Sequence, residues 1–515
     1  GNIFKGVSDP WQRSPSVPVL APESVATRQQ NIRDVVADPD NAPSSPPTAA
    51  PAVAPATTAP TPAPTVQPTL SQRRDAEVPL DSVREHFTAI LQRLNAKGRE
   101  LRPECDDPDF VDDGLVTAYA RAAREMCSPV GQQPTYRDGE QLGQSKVTCY
   151  QHTQARHTAA DSVCVGNNVA ISPSMFHGER MTAYVEATWM QMQRGGLKGN
   201  CQATPAYGSS DFPLCLGDWF GHRGAFEQTL GGVTCDRWIT HPVYFLTRNN
   251  NLNTYHSSED WTFAYLVWNL LDLHPTDVEV MFMDLQLPGP YNAMWTQVFA
   301  HTLTYFTEWR GDMQQQGVHT VCFKQAIFNP PGSGSPISKD KGINSVCRDN
   351  AMVQAFGDLT TRSLGISRRR RDAKLRVTLI ARKDYQGLGS MQRKIDNAED
   401  IVEAVRRHMS GEVDIELVDY AQLAWLEQLQ NDADTDILMG VHGAGMTQLM
   451  FLPPHAAVVE MFIPGTSGNR HYHNLGNWAN KLYHELHVDV HVDTGGVVNL
   501  LQQIVPAVRN RKESS

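Results

Sequence analysis

The segment Asp436–Phe462, DILMGVHGAGMTQLMFLPPHAAVVEMF, joins two aliphatic runs through His-Gly-Ala-Gly, an apolar stretch and a double proline. Short apolar runs bounded by glycine and proline read as strands buried on both faces. TDILMGV (435–441) and AAVVEMF (456–462) are therefore expected as strands, with GMTQLMFL (445–452) as a helix between them. The same alternation lies upstream. KLRVTLIAR (374–382) and DIELVDY (414–420) read as strands, NAEDIVEAVRRHM (397–409) and LAWLEQLQNDA (423–433) as helices. Strands and helices alternating across short turns predict a parallel sheet covered by helices, a Rossmann-like domain. VVNLLQQIVPAVRNR (497–511) is expected to pack back as a helix interrupted at Pro506.

The first two thirds of the chain are less regular. Residues 42–69, APSSPPTAAPAVAPATTAPTPAPTVQPT, cannot bury a core and read as an extended spacer. VPLDSVREHFTAILQRL (78–94) has helical spacing, and a loop-rich region holding most of the cysteines follows to about Cys235. WITHPVYFLTR (238–248) and VEVMFMDL (278–285) read as strands, AMWTQVFAHTL (293–303) as a helix. Between them a helix is expected to start near Ser257 or Ser258, placing Glu259 and Asp260 in its first turn, where carboxylates suit the dipole.

The 515 residues carry 45 basic and 56 acidic side chains, a net charge of −11 that excludes the basic footprint of a nucleic-acid binder. No run of 18 apolar residues exists to span a bilayer, and the chain opens on Gly1, as a fragment or processed form would. Nine cysteines lie between Cys105 and Cys347 with no C-x-x-C pair, which fits disulfides in an oxidising compartment. No N-x-S/T sequon accompanies them. The quartet Arg368–Arg371 reads as a solvated linker.

Ligands of parallel sheets sit at the carboxyl ends of the strands, where His442, Gly443, Ala444 and Gly445 stand. Glycines let backbone N–H groups approach a ligand, and a following helix N-terminus favours phosphate. A capped turn would explain the same four residues. Rival fingerprints are absent. There is no G-x-G-x-x-G after a strand here, no G-x-x-x-x-G-K-S/T and no G-x-S-x-G. HELH (484–487) lacks the spacing of a zinc protease, and DADTD (432–436) precedes a strand, so no residue is assigned to a metal.

The His442 segment and ARKDYQGLGSMQRKIDNAEDIV (381–402) resemble the signature of glycosyltransferase family 61. CDRWITHPVYFLTRNNNLNTYHSSEDWTFAYLV (235–267), VMFMD (280–284), AMWTQVF (293–299) and VCFKQAIFNPPGSGSP (321–336) are similar in order and spacing to one subgroup. That subgroup comprises the plant-type enzymes that add β-1,2-xylose to the N-glycan core. The resemblance implies an α/β GT-B fold, two Rossmann-like domains facing a cleft. It divides the chain into a stem (1–75), an acceptor-side domain with the disulfides (76–365), a nucleotide-sugar domain (366–495) and a C-terminal helix (496–515).

It further implies an inverting enzyme of the Golgi lumen, a type II membrane protein whose anchor lies outside this fragment. UDP-xylose would be the donor, the core β-mannose of an N-glycan the acceptor, and no cofactor or essential metal would be needed. The diphosphate would meet His442, Gly443, Ala444, Gly445 and Met446, with charge from Arg382 or Arg393. Asn397 and Glu460 would join the donor site, Glu460 through ribose hydroxyls. Lys383 and Lys394 stand where relatives often carry arginine, and lack its bidentate fork. Asp260 is the first candidate for the base, His256 and Glu259 the others; Glu259 departs from the plant pattern. Trp261 would be a sugar platform, Asn253 an acceptor contact, and Cys322–Cys347 a disulfide. Two alternatives stay open: a relative moving N-acetylglucosamine or arabinose onto protein or polysaccharide, and an inactive lectin-like lumenal protein.

Overall fold

The computed structural model describes residues 83–96, 114–130, 141–151, 162–181, 189–204, 214–221, 224–329, 335–338, 345, 347–370, 373–383, 393–465 and 468–514. The expected stem, residues 1–75, lies outside them.

The chain is α/β, built on two large sheets. The second is all parallel, in the order Val413–Val418, Leu375–Ile380, Ile437–Val441, Ala457–Phe462, Leu482–His487. Ile437–Val441 and Ala457–Phe462 are buried along their whole length, which is why they read as unbroken apolar runs. Helix Ala398–Met409 covers one face through Ile401, Val402, Val405 and Met409. Glu399 and Asp400 in its first turn and Arg406 and Arg407 in its last complement its dipole. Helix Thr494–Ser514 packs beside it and runs unbroken through Pro506, where an interruption was expected. Burial of Ile504, Val505 and Val508 on both sides of the proline holds the helix together.

The first sheet is mixed. Thr302–Tyr305, Glu279–Phe282, Arg237–Leu246 and Val321–Asn329 form a parallel block. Ser162–Ile171, Lys146–Gln151 and Ala123–Ser128 extend it antiparallel. The region expected as loops thus supplies strands, and the residues expected as one helix from 293 to 303 form a short helical segment and a strand. Ala300 breaks off in extended backbone, and Thr302–Tyr305 satisfies its main chain as the edge strand.

Disulfides Cys127–Cys201, Cys149–Cys164 and Cys235–Cys322 pin this sheet. The expected Cys322–Cys347 bond is not formed. Cys322 sits on Val321–Asn329 opposite Trp238, which brings Cys235, just before the neighbouring strand, to a Cα–Cα distance of 5.6 Å. Cys347 is disulfide-bonded elsewhere. One hydrophobic cluster runs from Tyr244, Trp261 and Trp268 beneath the first sheet to Leu438, Met446 and Trp478 beside the second.

Candidate active site

The Ile437–Val441 strand delivers His442 at its carboxyl end, and the neighbouring Leu375–Ile380 strand delivers Arg382 beside it. His442 is 3% exposed. Its ring stacks on Phe462 with centroids 5.5 Å apart and meets Tyr472 at 5.2 Å. Nδ1 hydrogen-bonds Glu460, and among the described residues no group bonds Nε2. Gly443 is followed by the 3-10 helix Ala444–Phe451, in place of the expected α-helix. Met446 is buried beneath it, so only its backbone could meet a ligand.

Arg382 donates from Nη1 to the His442 carbonyl at 3.1 Å. A Cβ on Gly443 would lie 1.6 Å from that nitrogen, so the guanidinium occupies the space a side chain would take. The φ of Gly443 is 163°, ordinary extended backbone; close approach, not handedness, requires glycine here. Arg382 and Arg393 both act electrostatically on Tyr472, whose hydroxyl burial pushes well up. Arg382 thus stands at the His442 turn, and the charge of Arg393 also reaches the ring that touches His442. Lys383 is exposed and Lys394 half-buried.

The second group lies at the carboxyl end of the parallel block in the first sheet. Helix Thr254–Leu271 starts three residues earlier than expected, because Asn253 caps it and accepts from the N–H groups of Tyr255 and His256. Glu259 and Asp260 consequently stand past the first turn and cap nothing. Glu259 is 1% exposed; it accepts from His256 Nδ1 at 2.8 Å and from the Ser338 hydroxyl. The amide of Asn249 approaches the same ring nitrogen at 3.1 Å. The His256 side chain is 36% exposed, and among the described residues none bonds its Nε2. Asp260 is 1% exposed and accepts weakly from the Asn249 N–H at 3.4 Å. It shares a pocket with Arg248, Asn251, Tyr291 and Trp295, none of which sequence reasoning singled out. Arg248 forks onto Asp284 at 2.9 and 2.7 Å and lies 4.0 Å over the Phe282 ring. The spacing of Arg248 and Asp284, each two residues beyond its strand, was the only available signal.

The two groups touch. The Tyr255 hydroxyl and His471 Nδ1 are 2.8 Å apart, and the rings of Tyr255 and Tyr472 lie 6.0 Å apart. A chain of rings thus leads from His256 through Tyr255 and Tyr472 to His442.

Residues 227–459, which hold both histidines, match the family model Glycosyltransferase 61. The chain carries a glycosyltransferase 61 domain. The EGF domain-specific O-linked N-acetylglucosamine transferase of Rattus norvegicus is 29% identical over 282 residues, 53% of this chain and 51% of that protein. The Xenopus laevis protein of the same description is 25% identical over 429 residues, 76% and 75% of the two chains. Beta-1,2-xylosyltransferase RCN11 of Oryza sativa subsp. japonica is 23% identical over 284 residues, 50% and 51%. The chain spans about half the length of most of these curated relatives.

Within the glycosyltransferase domain and just beyond it, geometry reassigns several expected roles. Glu460 is fully buried, with one oxygen on His442 and the other accepting from the Tyr483 hydroxyl, so none is open to a ribose. Asn397 is buried and clasps the backbone of Val492 in both directions at 2.9 Å. Trp261 is fully buried and packs against Tyr291 at 5.3 Å and Trp425 at 5.4 Å, while also lining the pocket it shares with Asp260. Asn253 spends its side-chain oxygen on the helix cap.

Of the arginine quartet, Arg368–Arg370 do not form a solvated linker, and Arg371 lies outside the described residues. Arg368 Nη2 donates to both Asp436 oxygens at 2.8 and 2.9 Å, Arg370 pairs with Asp414 at 2.9 Å, and the backbone N–H groups of Arg369 and Arg370 bond Asp434. Asp434 and Asp436 of the acidic run are thus partners of residues 368–370, while Asp432 takes the Tyr420 hydroxyl.

Proposed function

We propose that this domain transfers a sugar with inversion from a UDP-linked donor to a hydroxyl acceptor, across a GT-B cleft formed between the two sheets. The observation that carries the proposal is the His442 turn. It sets a buried imidazole, whose Nε2 no described residue bonds, and a glycine-permitted arginine at the carboxyl end of a parallel sheet, within reach of the charge of Arg393. Such convergent donors stabilise the diphosphate as it leaves. No cofactor or essential metal is assigned, since the two arginines supply cationic charge.

His256 is the base on this proposal, in preference to Asp260. A base must reach the proton it removes. His256 is the more exposed of the two, and its Nδ1 is held by a buried glutamate, leaving Nε2 to accept the acceptor's proton as C1 is attacked. Asp260 then lines the pocket wall with Arg248.

The relatives favour N-acetylglucosamine as the transferred sugar and a protein hydroxyl, such as that of an EGF domain, as the acceptor, because they are more similar than the xylosyltransferase. Transfer of xylose from UDP-xylose to an N-glycan β-mannose is the second reading, supported by the rice relative. Three disulfides between described cysteines, and the bonded state of Cys347, fit the secretory-pathway lumen; a Golgi address and a type II anchor are part of the proposal. Among the described residues no helix is long and apolar enough to cross a membrane.

A donor screen tests this directly. Purified protein is given UDP-N-acetylglucosamine or UDP-xylose with a folded EGF domain or a mannose-terminated N-glycan, with and without EDTA. Transfer of N-acetylglucosamine to the EGF domain, retained in EDTA, is expected. Xylose transfer alone would select the second reading, loss in EDTA would overturn the metal-free assignment, and no transfer from any UDP-sugar would overturn the function.

A further inference from the structure

We infer that Glu460 and Tyr483 are positioning residues that hold the His442 ring through Nδ1–H, so that the ring meets the donor diphosphate as an imidazolium donating from Nε2–H. This rests on the donor site proposed above and adds two residues to it, neither of which need touch the nucleotide.

The stacking partners of His442, Phe462 and Tyr472, fix the plane of the ring but not which nitrogen carries hydrogen. Among the described residues Glu460 does that. A carboxylate can only accept, so the Nδ1–Glu460 contact requires Nδ1–H; Nε2 can then donate to a phosphate oxygen only as the second N–H of an imidazolium, whose charge the carboxylate offsets. Glu460 is held in turn. It stands on the Ala457–Phe462 strand, paired opposite Gly440 and Glu485, and its second oxygen accepts from Tyr483 on the edge strand. Burial, and then Glu460 itself, drive the Tyr483 hydroxyl far above its ordinary range, so it remains a donor.

Nothing in the packing asks for this arrangement. A fully buried carboxylate costs free energy to desolvate, and apolar side chains of similar volume commonly serve a core as well or better. Its neighbours Val458, Val459 and Met461 are apolar. The polar relay Tyr483–Glu460–His442 therefore points to orientation of the one ring atom left open. Partners behind a functional histidine act in this way when they fix its tautomer.

The test compares UDP binding by calorimetry with the His442 ring tautomer seen in long-range ¹H–¹⁵N spectra of histidine-labelled protein, the signal being assigned by its loss in His442→Gln. In Glu460→Gln the amide oxygen goes to the Tyr483 hydroxyl and the NH₂ faces Nδ1, so Nδ1 is expected to lose its proton and the ring its charge, leaving a neutral Nε2–H in place of a charged donor. UDP binding should weaken about tenfold, the size of one charge-assisted hydrogen bond. Tyr483→Phe removes only an oxygen; it should keep the fold and the Nδ1 proton, and weaken UDP binding severalfold. UDP bound as tightly as by the unaltered protein in a folded Tyr483→Phe, or a ring still protonated on Nδ1 in Glu460→Gln, would overturn the positioning role. Undiminished UDP binding by His442→Gln would instead overturn the donor site on which it rests.

Discussion

The Tyr255 hydroxyl and His471 Nδ1 are bonded at 2.8 Å across 216 residues of sequence, tying the helix that carries His256 to the segment following the Glu460 strand. On either side of that tie the same device recurs. His256 and His442 each bond a buried glutamate through Nδ1, and no described residue bonds either Nε2. In the proposed function the first serves an acceptor hydroxyl as base and the second serves a diphosphate as donor.

The device sets an order of sensitivity. His256→Ala is expected to lower kcat by about 100-fold or more, the usual contribution of a general base. Asp260→Asn is expected to lower it less, since a 1% exposed carboxylate presents little to an acceptor. Steady-state transfer assays check both, and a larger loss from Asp260→Asn would restore Asp260 as the base.

Gly443→Ala separates binding from folding. The backbone there is extended and accepts alanine, but the new Cβ would displace Arg382 from the His442 carbonyl. The melting temperature should change little while the Kd for UDP rises about tenfold, one lost charge-assisted contact. Unchanged UDP affinity would remove Arg382 from the donor site.

Acid should find the Arg368–Asp436 clamp. Burial alone would raise the Asp436 carboxyl, but His455, the Arg376 N–H and Arg368 hold it far below the usual range. Such a group contributes stability that is present above the unfolded value, near pH 4, and lost as pH falls further. Asp436→Asn should therefore cost about 3–5 kcal/mol at pH 7, as removal of one partner of a buried pair does. Its deficit relative to the unaltered protein should shrink below pH 4. Urea titrations across pH check this; a deficit independent of pH would contradict it.

Lys481 has a signature of the same sign in a higher pH window. Burial, and then Arg511, depress its amine to about 7, although it donates to the carbonyls of Leu452 and Pro453 at 2.8 and 3.0 Å. Between about pH 7 and its ordinary value near 10.5 the unfolded chain binds a proton that the folded chain does not. Stability from this site therefore rises with pH through that window and is lost as pH falls through 7. Lys481→Met should flatten the rise in melting temperature between pH 7 and pH 9; an equal rise in both proteins would count against it.

The sequence exposed the parallel sheet because strands covered on both faces leave an unmistakable apolar run, as in ILMGV and AVVEMF. It exposed the His442 turn because the glycines interrupt that run. It hid the antiparallel extension, whose strands are interleaved with polar and cysteine residues. The helix start was misplaced because Asn253 competes with Ser257 and Ser258 as a cap, and only tertiary packing chooses among them. Tyr483 was invisible: LYHELH is a half-buried edge strand with no apolar period, and its bond to Glu460 exists only through the register of two strands. The basic and acidic runs 368–371 and 432–436 were each read alone, whereas Arg368 and Arg369 are partners of Asp436 and Asp434.

The division of labour between the two histidines is tested most directly by measuring UDP affinity and turnover of His256→Ala and His442→Gln side by side. His256→Ala is predicted to bind UDP within about twofold of the unaltered protein yet lose about 100-fold or more in turnover. His442→Gln is predicted to lose about tenfold or more in UDP affinity. UDP affinity unchanged in His442→Gln, or turnover unchanged in His256→Ala, would contradict it.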